Sequence, residues 1–94
     1  MKVQVTEKDI KDGWRWSFAR LVNTPKPWQI DERHRNCPVA LALTRAYKFK
    51  VFAETYNIYV RGKKFRTPEV VSDWMQSFDY GFPVTPFEFE LVEE

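Results

Sequence analysis

The 94-residue chain is poor in the residues that build most active sites: one cysteine, one histidine and three glycines, no two of them adjacent. A single cysteine excludes an internal disulfide and a multi-cysteine zinc site, and it fits a reducing cytoplasm, the expected location. Isolated glycines exclude the phosphate-cradling loop and the dinucleotide fingerprint, and no GxSxG elbow occurs. No apolar run approaches the ~18 residues of a membrane span. The start, MKVQVTEKD, lacks the apolar stretch of a signal peptide, so no membrane partner is expected. The last 28 residues contain no Lys or Arg at all.

What is present is aromatic and charged. Phe, Trp and Tyr make up 17% of the chain and charged residues 30%, within a composition 44% hydrophobic. These values suit one globular domain over residues 1–94. The net charge of +2 hides a polarity. Residues 48–66 carry six cations against Glu54, whereas residues 67–94 carry seven acids. Either the basic stretch serves an anionic partner, or the acidic segment lies beside it and the charges answer each other.

Lys2–Thr6 alternates as a short strand, and Thr6 with Asp9 reads as a helix cap, the helix stopping at Gly13. Trp14, Trp16 and Phe18 fit a strand or, with Leu21, a helix face. Thr24-Pro25-Lys26-Pro27-Trp28 reads as non-helical because two prolines impose extended geometry. Asn36-Cys37-Pro38 opens a helix, with Asn36 as cap, and its run Val39–Leu43 is apolar all round. Lys48–Glu54 and Tyr56–Gly62 read as paired strands, with Gly62-Lys63-Lys64 as a turn. Thr67-Pro68-Glu69 caps a last helix whose inner face takes Val70, Val71, Trp74, Met75 and Phe78. Phe87, Phe89 and Leu91 alternate with Glu88 and Glu90 in the final strand.

With residues 14–36 set aside as an aromatic, basic insertion, the order reduces to βαββαβ. The expected fold is α+β: one antiparallel, ferredoxin-like four-stranded sheet with two main helices on one face.

The residues hold no strong catalytic or metal constellation, so a non-enzymatic protein without cofactor is expected. His34 and Cys37, even with Asp31 and Glu32, make a poor metal set. Cys37 at a helix start, near Arg33, His34 and Arg35, has surroundings that would lower a thiol pKa. A cysteine before a buried apolar helix is more often a packed hydrophobe. Glu88 and Glu90 read as a solvated strand face.

The remaining signal is aromatic residues among cations. Trp14, Arg15, Trp16, Trp28 and Arg33 combine the side chains most enriched at protein interfaces, so a protein partner is the leading expectation. The alternative is single-stranded nucleic acid, taken up by the Trp/Arg segment together with Lys48, Lys50, Tyr59, Arg61, Lys63, Lys64 and Arg66. Carboxylates at Glu88 and Glu90 on the open sheet face argue against it, because they would repel phosphates. The insertion reads equally as structural cover over the sheet. A monomer or a homodimer fits either partner.

Val5-Thr6, Asp9-Ile10, Gly13 and the run Cys37-Pro38-Val39-Ala40-Leu41-Ala42-Leu43 with Arg45 form one set of motifs. Phe78-Asp79, Gly81, Pro83-Val84 and Pro86-Phe87-Glu88-Phe89-Glu90-Leu91 form another. Together they resemble a group of small bacteriophage and bacterial proteins with no established activity. The likeness covers the first 13 residues and most of the chain after 36; the stretch Trp14–Arg35 is longer than that group would have. It implies a shared fold, phage origin and a host-cell cytoplasm; the aromatic-rich segment adds the expectation of a role such as inhibiting a host system through protein contact. Its motifs fall on capping, core and turn positions, so it implies no active site.

Overall fold

A computed structural model describes residues 1–17 and 26–91. The readings that involve Phe18, Leu21, Thr24 and Pro25, and two of the acids of the last stretch, Glu93 and Glu94, lie outside the described residues. The elements run β1 (Lys2–Val5), α1 (Glu7–Gly13), a 3-10 turn (Trp14–Trp16), α2 (Pro27–Asn36), α3 (Pro38–Tyr47), β2 (Val51–Ala53), β3 (Asn57–Val60), β4 (Lys63–Arg66), α4 (Glu69–Asp79) and β5 (Phe87–Glu90). Among the described residues no helix is long and apolar enough to cross a membrane.

The class is α+β as expected, but the single four-stranded sheet is not formed. β1 pairs antiparallel with β5, and β2-β3-β4 form a separate antiparallel meander. The cause is β4, which the sequence reading took for a turn. In a ferredoxin-like sheet β1 would bond the free edge of β3. Here β2 and β4 occupy both edges of β3, so β1 is left with β5.

Helix α3 lies at the centre because its sequence leaves little polar surface. Val39, Ala40, Ala42 and Leu43 are buried, and only Leu41 in that run is half-exposed. Around it close Val3 and Val5 of β1, Val51 and Ala53 of β2, Ile58 and Val60 of β3, Phe65 of β4, Val71 and Met75 of α4, and Phe89 of β5. Both sheets thus share one core.

Caps and turns place these elements. Thr6 and Asp9 form a reciprocal capping box at the start of α1, Oγ1 accepting from Asp9 N at 3.3 Å and Oδ2 from Thr6 N at 2.9 Å. Gly13 is needed for a different reason from the helix stop expected. Its φ is negative, at −83°, but a Cβ there would sit 2.6 Å from Pro38 Cδ, so α1 approaches α3 only without a side chain.

Pro27 does not prevent helix; it occupies the first turn of α2, where a missing N–H costs nothing, and Trp28 follows in that helix. The cap of α3 is Cys37 rather than Asn36: α2 runs through Asn36, and Cys37 ends one helix and begins the next. Likewise Pro68, not Thr67, is the cap of α4; Thr67 Oγ1 donates instead to Glu54 O at 3.1 Å. Val70, expected on the inner face of α4, is 61% exposed, whereas Val71, Met75 and Phe78 are buried. Half-buried Trp74 stacks on Phe78 and donates through Nε1 to Thr85 O at 2.9 Å.

Candidate functional site

Alternation sorts the three-stranded sheet into two faces. Val51, Ala53, Ile58, Val60 and Phe65 face the core. The opposite face carries a cross-strand row, Phe52–Tyr59–Lys64, and beside it the pair Asn57–Arg66. The Phe52 and Tyr59 rings meet edge to face, centroids 6.1 Å apart. Helix α2 flanks the row: His34 lies 4.8 Å from the Phe52 ring, and Arg35 Cζ lies 6.0 Å from its centroid. His34 Nδ1 donates to Ala53 O at 3.2 Å, since a carbonyl can only accept. Burial, then the nearby Arg33, hold the His34 pKa below its ordinary value, outweighing Glu54, the Ala53 bond and Asp79, so the ring is neutral at pH 7.

At the hairpin end of this sheet cations take up unusual backbone positions. Arg61 has φ 50° and Gly62 φ 79° in the two-residue β3–β4 loop, and Lys48 closes α3 at φ 62°. The left-handed region favours glycine or asparagine; a bulkier residue costs about 1 kcal/mol more than glycine there. Lys48 and Arg61 are the only non-glycine residues at positive φ among those described. Arg61 Cζ stands 4.2 Å from the centroid of the 46%-exposed Phe49 ring. Backbone strain held at two cations on one end of a sheet points to a use for those side chains.

The charges on the two sheets are treated differently. Glu88 and Glu90 do not lie on the aromatic face: β5 sits in the other sheet, where Lys2 Nζ reaches Glu88 at 3.2 Å, Gln4 Nε2 donates to Glu88 at 3.1 Å, and the N-terminal amine reaches Glu90 at 3.1 Å. The sequence-based objection to phosphate on the open face therefore falls. Among the described residues, Lys48, Lys50, Arg61, Lys64 and Arg66 have no carboxylate within ion-pair distance. Lys63 opposes Val60 on the core side of the hairpin end, so it extends the rim rather than the row.

The members of the Trp/Arg set differ in exposure and in what holds them. Trp14 is 37% exposed and set edge-on to Phe78 at 5.7 Å. Arg15 Cζ lies 5.4 Å from the ring of half-buried Trp16. Trp28, in the first turn of α2, is 57% exposed. Arg33 bonds Asp79 at 2.6 Å, both side chains largely buried, and so ties α2 to the end of α4. A guanidinium held that way is structural.

Cys37 takes the packed-hydrophobe reading rather than the reactive one. It is buried, its Sγ accepts from Ala40 N at 3.4 Å, and burial pushes the thiol up to about 11, outweighing the backbone N–H bonds and Arg33. At pH 7 it is a thiol, with little thiolate to attack anything. Among the described residues no three His, Cys, Asp or Glu side chains come together as metal ligands; Glu32 is engaged by Asn36 and Arg35.

Two lining groups were missed in sequence, Tyr56 and Asn57. They stand at the other end of the sheet, facing α4 across a groove of about 960 Å³. Only the two-residue period of β3, which puts Asn57 on the side of Tyr59, pointed to either. Comparison with protein-family models, with curated proteins and with solved structures finds no match to this chain.

Proposed function

We propose that this protein binds single-stranded nucleic acid along the outer face of β2-β3-β4. The observation that carries the reading is the row Phe52–Tyr59–Lys64 beside Asn57–Arg66, with Lys48, Lys50, Arg61, Lys64 and Arg66 having no carboxylate within ion-pair distance among the described residues. A strand lying across this face meets what it needs. Lys64 and Arg66 take phosphates, the half-buried Tyr59 ring offers a surface for a base, and Lys48, Lys50 and Arg61 extend the positive field past the hairpin end. Base–aromatic stacking tolerates any sequence, and cation–phosphate contact supplies most of the affinity. The resemblance to phage and host proteins would put such a strand in a bacterial cytoplasm.

A protein partner contacted through the exposed indoles of Trp14 and Trp28 is the second reading. It is the weaker one, because Arg33 is already bonded to Asp79.

The two readings separate in one titration. Fluorescence anisotropy of a labelled single-stranded DNA of about eight nucleotides, within the site size of one small binding fold, is followed at low salt. Binding by the native protein, a loss of roughly tenfold or more in Tyr59→Ala and native affinity in Trp28→Ala are expected. No binding by the native protein, or equal binding by Tyr59→Ala, would refute the proposal.

A further inference from the structure

The groove beside the sheet has walls of opposite sign. One wall is the end of β3 and β4, with Tyr56, Lys64 and Arg66; the other is one face of α4, with Glu69, Asp73 and Gln76. Residues 69, 73 and 76 share a face because they are spaced by four and three along a helix. Despite this facing arrangement no ion pair crosses the groove. Neither Lys64 nor Arg66 has a carboxylate within 4.0 Å, and Glu69 and Asp73 have no cation or hydrogen-bond donor among the described residues. Tyr56, 68% exposed, stands at the mouth. The cavity, about 960 Å³, lies within the size range of sites that take small ligands.

A ligand that answers both walls must carry an anion and, some way from it, a group that only donates hydrogen bonds. A phosphate alone fails, because the α4 carboxylates repel it. A nucleotide of a bound strand meets both demands, its phosphate at Lys64 and Arg66 and its base edge at α4. The bases differ sharply before a carboxylate. Guanine presents two adjacent donors, N1–H and the 2-amino group, which one carboxylate accepts together. Adenine and cytosine offer an amino donor beside a ring acceptor. Thymine and uracil offer one N–H between two carbonyl oxygens, which a carboxylate repels.

We infer that this groove is a base-reading subsite that selects guanine, with Asp73 or Glu69 as the acceptor, Tyr56 as the stacking surface, and Lys64 and Arg66 on the neighbouring phosphate. The inference rests on the nucleic-acid reading above and adds sequence preference to it. The sheet face is indifferent to base identity; the groove is not.

The test uses three single strands of equal length: all thymine, thymine with one central guanine, and thymine with inosine at that position. Inosine keeps N1–H and lacks the 2-amino group. Competition anisotropy is expected to rank guanine over inosine over thymine, guanine leading thymine by about tenfold. In Asp73→Asn or Glu69→Gln the lead collapses to under about twofold, while the all-thymine strand binds as well as before or better, because a repelling charge is gone. Both carboxylates are solvent-exposed, so the variants are expected to fold. Equal affinity for the three strands, or a guanine lead that survives both substitutions, overturns the subsite and leaves general strand binding standing. Failure of all three strands to bind at low salt overturns both.

Discussion

The two sheets share a core yet present opposite surfaces. On β1-β5 each charge has its answer within the sheet: Lys2 and Gln4 at Glu88, the terminal amine at Glu90. On β2-β3-β4 the strand charges are all of one sign, and Lys64 and Arg66 have no carboxylate within ion-pair distance among the described residues. Exposed ion pairs contribute little to stability, so the pairing on the first sheet is not what holds the fold. Its consequence is electrostatic: it engages Glu88 and Glu90 on the first sheet, away from the aromatic face. Cations without a described carboxylate partner, two of them in a strained backbone conformation, support the proposed nucleic-acid face.

The largest expected effect breaks this contrast directly. Lys64→Glu with Arg66→Glu places two acids on the aromatic face, and affinity for a single strand at low salt should drop at least about a hundredfold. The matching change on the other sheet, Glu88→Lys, should leave affinity within about twofold of native. A clear gain in affinity from Glu88→Lys would show that net charge, not the face, governs binding.

Next in size is the anchor between β1 and α3. Arg45 donates to both oxygens of buried Asp9, at 2.8 and 2.9 Å, and to Gln4 O at 2.8 Å. Burial alone would raise the Asp9 pKa; the hydrogen bonds from Arg45 and Thr6 outweigh it and hold the carboxyl below its ordinary value. Its stabilisation is therefore full above the unfolded carboxylate pKa of about 3.9 and is lost as pH falls through the lower folded value. Arg45→Ala leaves a buried carboxylate without its cation. Because Arg45 itself is half-exposed, the cost is about 2 kcal/mol at pH 7 rather than the larger penalty of a fully buried pair. Urea melts at pH 7 and at about pH 2.5, below the unfolded carboxylate value, check this, with a smaller difference between native and variant at the lower pH; an unchanged difference would contradict the assignment.

Smaller still, Arg61→Gly should raise stability by about 0.5–1 kcal/mol by relieving its positive φ, while weakening strand binding a few-fold. The two changes have opposite signs only if the cation is kept for use. A variant that is more stable and binds as well as native would mean Arg61 is idle. Last, Glu88→Gln should leave both the melting midpoint and the affinity unmoved, since its partners Lys2 and Gln4 are solvent-exposed.

How far the sequence discloses this molecule depends on where the stabilising contacts come from. Local signals were legible: the Thr6–Asp9 capping box, Pro38 opening α3, the acidic first turn of α4 and the alternation of β3 and β5 are all decided within a few residues. The misses have non-local causes. β4 reads Lys-Lys-Phe-Arg, with one apolar residue and no pattern; backbone bonds to β3, set by the Arg61–Gly62 loop, make it a strand. Helix α2 has no buried residue and hence no apolar stripe to detect. Arg33 on Asp79 and His34 on Ala53 help hold it, across 46 and 19 positions of chain. At Cys37 the sequence offered both cations that would lower a thiol pKa and an apolar helix that would bury it; the burial is what the structure holds, and burial decides the thiol. Of the candidate site, Tyr59 and the cations could be named in advance. The row they form required the register, and the groove required α4 to be placed against the sheet end.

The measurement that tests the central claim most directly is the salt dependence of single-strand affinity for the native protein. Each phosphate neutralised contributes about −0.7 to the slope of log affinity against log salt. Engagement of four or five of the unpaired cations predicts a slope of roughly −3, so that binding falls about tenfold or more for each doubling or tripling of salt. A slope near zero, or no binding even at the lowest salt, would contradict the account, since cations left unpaired for a phosphate backbone cannot act without releasing counterions.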